Sequence, residues 1–196
     1  MRDFAHTPVA LPQLSDMLSA LMQNPAPDGP RFQYASAGGL YPVQTYLYVK
    51  QGRIDGIAPG SYYLHPRERT LIRLDSDATL DGDSYDYFVN RPTYERAAFA
   101  VFFVADMSAI TPIYGAASRD MVLLETGQMA QHLTSRAGEV GLGLCGIGNL
   151  EKNRVADLFD LGAAHQLIYS MLGGVAPGPM APASDAYNDD TEEFDI

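Results

Sequence analysis

A chain of 196 residues, 46% of them hydrophobic, is long enough to bury one domain-sized core and too apolar to stay disordered. Its formal net charge of −11 argues against a nucleic-acid or anionic-membrane surface, and no apolar run approaches the roughly 18 residues of a membrane span. A single cysteine, Cys145, excludes an internal disulfide framework and, with no secretory leader pattern, fits a cytoplasmic protein.

In chain order, LPQLSDMLSALMQ (11–23) places Leu14, Met17, Leu18, Leu21 and Met22 at helical spacing, with Ser15 and Asp16 on the other face. NPAPDGPRF reads as a loop, and SAGGLYP (36–42) leads into QTYLYVK (44–50), which alternates as a strand does. SYYLH and RTLIRL form a hairpin around the turn PRE; DSYDYFVN (83–90) reads as a short helix. AAFAVFFVA (97–105) is apolar throughout, the mark of a central strand buried on both faces. The longest helix spans 118–141: Ser118 suits its N-cap, Gly141 its terminus, and Met121, Leu124, Met129, Leu133, Ala137 and Val140 an apolar stripe, broadened by Val122 and Leu123. LGLCGIG (142–148) is a short strand or turn, KNRVADLFDLG (152–162) a helix ended by Gly162, and HQLIYSMLGG (165–174) a last strand. The mixed order predicts an α+β domain over 1–175, followed by an acidic, Pro- and Gly-containing tail over 176–196.

Two glycine-rich apolar turns, SAGGLYP and CGIGN, therefore lie beside buried strands. Small residues there let backbone N–H groups approach a flat ligand; a plain tight turn would also use them. Neither turn matches GxGxxG or a GKS/GKT phosphate loop. His6, His65, His132 and His165 are scattered, so no metal site is expected, and no GxSxG is present. Cys145, in apolar surroundings, reads as a structural thiol.

YASAGGLYPVQTYLYVKQGRIDGIAPGSYYLHP resembles the opening half of the SagB-type thiazoline oxidases, a branch of the FMN-dependent nitroreductase superfamily. AFAVFFVADMSAITPIYGAASRDMVLLETGQMAQHLTSRAGEVGLGLCGIGNLE resembles their second half, nearest to the oxidase domains within non-ribosomal peptide synthetases. RDFAHTPVALPQL resembles the end of the superfamily's R-S-x-R-x-F motif, whose first arginine and serine have no counterpart here.

The resemblance implies a nitroreductase-like fold, with a central mixed, mainly antiparallel sheet flanked by helices. It implies FMN, contacted by Ala35, Ser36, Ala37 and Gly39 along the ring, by Gly146, Gly148 and Asn149 near its reactive edge, and by Arg2 at ribityl or phosphate oxygens. No basic residue follows the last strand, so Arg31, Arg119, Arg136 or Arg154 is left to meet the phosphate. The implied reaction is oxidation of a carrier-tethered thiazoline or oxazoline to the azole, with FMN as the two-electron acceptor and O2 as the terminal one. Tyr114 matches the tyrosine of the oxidase motif and is the candidate base, although a packed tyrosine reads equally well; the lysine that precedes it in related azole synthetases is Ile113 here. Gln128 and Gln131 are candidates to orient substrate or are surface positions. Alternatives are an NAD(P)H-dependent nitro- or quinone reductase, a non-catalytic flavin-binding module, or an oxidase acting on another tethered ring or side chain, as in pigment-forming synthetases. Expected partners are a second copy of the chain and a peptidyl carrier protein met by Arg31, Arg91 or Arg96.

Overall fold

Alternation along residues 43–49 sends Val43, Leu47 and Val49 to one side of a sheet and Tyr46 and Tyr48 to the other, and the whole chain is organised around those two faces. The computed structural model describes residues 1–25, 31–74, 79–150 and 152–178. The tail beyond 178 and part of the loop before Arg31 lie outside them.

The elements are α1 (Leu11–Ser19), β1 (Val43–Val49), β2 (Gly60–His65), β3 (Thr70–Arg73), α2 (Arg91–Arg96), β4 (Phe99–Asp106), α3 (Thr111–Tyr114), α4 (Ser118–Glu139), β5 (Leu142–Ile147), α5 (Ala156–Phe159) and β6 (His165–Val175). Six strands form one sheet in the order β3-β2-β1-β4-β6-β5, every neighbouring pair antiparallel. Among the described residues the one parallel pairing is an isolated bridge between Val9 and Ile54. This is the expected α+β, nitroreductase-like architecture.

β4 lies at the centre, as its unbroken apolar run requires, with Phe99, Phe102 and Phe103 all fully buried. Burial of each such ring is worth roughly 2–3 kcal/mol, so this strand alone is a main source of stability. Phe99 and Phe103 pack under α1 and α4; Phe102 packs against Phe159 of α5 on the other side. α1 buries Leu14, Met17 and Leu18, and Leu21 and Met22 follow just past its end.

Four local expectations need correction. Residues 83–90 are not a helix: Asp81 accepts from the Asp83 and Ser84 amides, and Asp86 from those of Phe88 and Val89. Side-chain caps of this kind compete with helical bonding, and the helix begins only at Arg91, where Pro92 suits a first turn. Ser118 is no N-cap; it lies inside α4 and its hydroxyl donates to the Gly115 carbonyl at 2.8 Å. Helix 152–162 is reduced to a 3-10 turn and four α residues, stopped by left-handed Asp160 rather than by Gly162. The buried stripe of α4 is also rotated from the expected one. It runs through Val122, Thr126, Met129, Leu133 and Ala137, while Leu124 is 63% exposed.

Candidate functional site

The SAGGLYP segment enters β1 through a 3-10 turn over Ala37–Gly39. Gly38 and Gly39 take φ of 60° and 65°, which an L side chain tolerates poorly, and both are exposed. Tyr41 has φ 52° directly before Pro42, a strained combination for a residue with a side chain. Its position is enforced by packing on Phe32, with ring centroids 4.4 Å apart, and by its amide, which donates to the Ser36 hydroxyl at 2.8 Å. The loop's own hydrogen bonds engage the amides of Ala35, Gly39, Leu40 and Tyr41. None of the described hydrogen bonds uses the amides of Ser36, Ala37 or Gly38. Three neighbouring donors carried by small residues suit a flat, acceptor-rich ligand.

α4 holds this loop from below at two points three residues apart, hence on one helical face. The Gln128 side chain accepts from the Ala35 amide at 3.0 Å and donates to its own helix at Leu124. Glu125 is 1% exposed, and its Oε1 accepts from the Val43 amide at 3.4 Å. Its Oε2 has no hydrogen-bond partner among the described residues. Burial pushes the Glu125 carboxyl up to about 7, with the Ser36 hydroxyl and Val43 amide opposing the rise. Tyr34, buried beside it, has its phenol pushed well above the usual range by burial and then by the Glu125 charge.

Tyr114, at the end of α3, lies against the same loop: a Cβ on Gly38 would sit 3.1 Å from its hydroxyl oxygen. Ala35, Ser36, Ala37, Gly39 and Tyr114 are thus brought together in one chain. Gly146, Gly148 and Asn149 are not part of that group. They lie at and beyond the end of β5, at the same end of the sheet, but β5 is three interstrand spacings from β1, about 14 Å. Gly146 also has a packing reason of its own, since a Cβ there would lie 1.7 Å from the Tyr169 hydroxyl. Next to it, a cavity of about 370 Å³ opens between α4 and β6, lined by Thr126, Gly127, Gln131 and Tyr169.

Arg2 is farther still. The N-terminal segment runs along the opposite end of β6, with the Ala5 amide bonded to Val175 and Phe4 on the second sheet face. The Arg2 guanidinium donates to the Val89 carbonyl at 3.2 Å. Of the other cations, Arg136 is paired with Asp16 and Glu139, Arg91 with Asp83 and Glu95, and Arg96 with Asp3. Arg119 and Arg154 are exposed. Arg31 lies over the Phe32 and Tyr41 rings, at 5.8 and 5.3 Å, beside the loop. Among the described residues no cluster of three His, Cys, Asp or Glu side chains is placed to hold a metal, and no helix is long and apolar enough to cross a membrane.

Sequence reasoning missed Glu125. Its signal was an acid inside an apolar stripe, three residues after Val122 and four before Met129, both fully buried. Gln128, read as substrate-facing or surface, is exposed and in addition tethers Ala35.

A profile of the Nitroreductase family matches residues 1–175. The indigoidine synthase of Dickeya dadantii is 30% identical over 161 residues, which is 80% of this chain and 9% of that synthase. The chain therefore spans under a tenth of that relative's length. A chain of the E. coli microcin synthetase McbBCD complex, solved with truncated pro-MccB17 bound, superposes with a TM-score of 0.74 at 21% identity, over 89% of this chain and 67% of that one. A Ralstonia eutropha nitroreductase structure gives the same TM-score at 23% identity, covering 91% and 79%. Both structural likenesses are of fold.

Proposed function

We propose, from the premise that this chain belongs to the nitroreductase family, that it is an FMN-dependent oxidase acting on an azoline ring tethered to a peptidyl carrier protein. The coarser statement, a flavin-type oxidoreductase of that family, is the ground it stands on. The observation that carries the finer reading is the 35–39 loop. It offers the free amides of Ser36, Ala37 and Gly38 with Tyr114 alongside, and so fits a flavin edge rather than a bulky or cationic ligand. The indigoidine synthase relative favours a biosynthetic oxidase over a free-standing reductase.

In this reading FMN, when bound, supplies the two-electron acceptor that O2 later restores. The chain's residues do the rest. Ala35–Gly39 hold the ring edge through backbone, which stays rigid because Gln128 and Glu125 tie it to α4. Tyr114, acting through its phenolate oxygen, takes the proton from the substrate carbon next to the carbonyl and becomes the phenol. Arg2 lies at the opposite end of the sheet from the loop, and Gly146, Gly148 and Asn149 lie three strands across from it, which supports a homodimer in which each site draws the loop from one copy and these residues from the other. Leu123, Leu124 and Ile113, all exposed on the loop's side of the molecule, suit that contact. Arg31 is the best-placed cation for an acidic carrier, since Arg91 and Arg96 are engaged by the chain's own carboxylates.

The family match keeps a nitro- or quinone reductase as the second reading. The visible spectrum of the purified chain, with released flavin identified, tests the cofactor. Anaerobic bleaching by a carrier-bound thiazoline but not by NADPH then selects the oxidase. The reverse result selects the reductase, and a chain that takes up no FMN overturns both.

A further inference from the structure

In the reading above Glu125 only ties the loop to α4; its ionisation is unused, although the carboxyl is 1% exposed, its Oε2 has no hydrogen-bond partner among the described residues, and it lies beneath a strained loop. We infer that Glu125 and Gln128 form a two-point clamp on the 35–43 loop, that both are positioning residues for the site, and that loss of the Glu125 proton loosens the clamp.

The argument is one of competing costs. In the protonated form, Oε1 receives the Val43 amide and the carboxyl is a neutral group under a neutral loop. On ionisation the Ser36 hydroxyl and the Val43 amide offset part of the charge, but burial outweighs both. None of the described ion pairs reaches Glu125. On α4 its neighbours one turn away are Met121, Val122, Gln128 and Met129. From the loop it faces Tyr34, with Tyr41 and Arg31 beyond; Tyr63 lies on β2 and Tyr114 on α3, and no lysine or histidine is among them. A buried, unpaired carboxylate draws in water or new donors. α4 cannot give way, because Val122, Met129 and Leu133 anchor it in the core. The loop can: Ser36 and Tyr41 are only half-buried, and Tyr41 is held against its own backbone preference. Its release therefore relieves strain at the moment that the carboxylate needs solvent. The burial that raises the carboxyl to about 7 places this change in the neutral range.

The consequence for flavin binding rests on the reading above; the clamp itself does not, and its test uses the full chain without flavin. Backbone amide exchange at Ala35, Tyr41 and Val43 is followed from pH 6 to 8 and corrected for the intrinsic pH dependence of exchange. Opening coupled to one proton near pH 7 lowers wild-type protection at Tyr41 and Val43 by about tenfold across that range. Glu125→Gln, which keeps the acceptor but cannot ionise, gives a flat profile. Gln128→Ala, at an exposed position, lowers protection at Ala35 at every pH and leaves the pH dependence at Tyr41 and Val43 intact. If Glu125→Gln does not fold, Glu125→Met, of similar length, removes the same titration. A flat wild-type profile, or a fall that persists in the non-ionisable variant, overturns the proposal. A chain that shows the expected exchange pattern yet binds no FMN sinks the flavin reading and leaves the clamp standing.

Discussion

Replacing Glu125 by glutamine should remove most of the chain's loss of stability between mildly acidic and alkaline pH. An ordinary glutamate titrates at 4.5 and this one at about 7, because burial disfavours the charged form. The folded state therefore holds this proton more tightly than the unfolded chain does. The resulting stability is fully present below pH 4.5 and is lost as pH rises through about 7. A difference of about 2.5 units corresponds to roughly 3 kcal/mol, or about 6–12 °C in Tm for a chain of this size. The residue is 1% exposed, so solvent screening takes little of this away. Urea unfolding of the flavin-free chain at pH 5 and pH 8.5, at one protein concentration and ionic strength, reads it directly. Wild type minus Glu125→Gln should change by about 3 kcal/mol between the two pH values, the variant being the more stable partner at pH 8.5. Parallel pH profiles for the two proteins would refute the reasoning, because the carboxyl would then titrate as an ordinary surface group.

Tyr114→Phe should lower turnover of a carrier-bound thiazoline by about 10²-fold or more while leaving FMN content unchanged; full turnover removes Tyr114 as the base. Gly173→Ala should destabilise by about 2–3 kcal/mol in chemical unfolding, because the added methyl would lie 2.3 Å from the Phe99 ring and 2.8 Å from Leu144, and Phe99→Leu should recover part of the loss. Arg2→Ala and Gly38→Val should each reduce FMN binding. Mixing the two variants should restore about a quarter of the sites if each site is shared between copies, and none if it lies within one chain.

How much of this was legible beforehand depends on the range of the interactions involved. The apolar run of β4, the alternation of β1 and the amphipathic α1 are local patterns; both strands formed within two residues of their expected places, and α1 began where expected but stopped at Ser19, four residues early. Residues 83–90 failed as a helix because two aspartates bond their own downstream amides, a local choice that periodicity does not register. Helix α4 was found by its length, but its orientation was misjudged. Which apolar residues face inward was settled by what α1 and the sheet present to it, so Leu124 turned out and Glu125 turned in.

The same division applies to the site. Sequence alone determined that a small-residue loop precedes a buried strand, because glycine takes the positive φ of Gly38 and Gly39 without the strain a side chain would add. It also carried the resemblance that points to a flavin. Tertiary structure alone decided that the loop is fastened to α4 by Glu125 and Gln128, that Tyr114 rests on it, and that Arg2 and Asn149 lie elsewhere. Those relations join residues from about 80 to more than 90 positions apart, or hold apart residues that a motif list puts side by side. The burial that turns an ordinary glutamate into a group titrating near neutrality exists only once the sheet, the helix and the loop have closed around it.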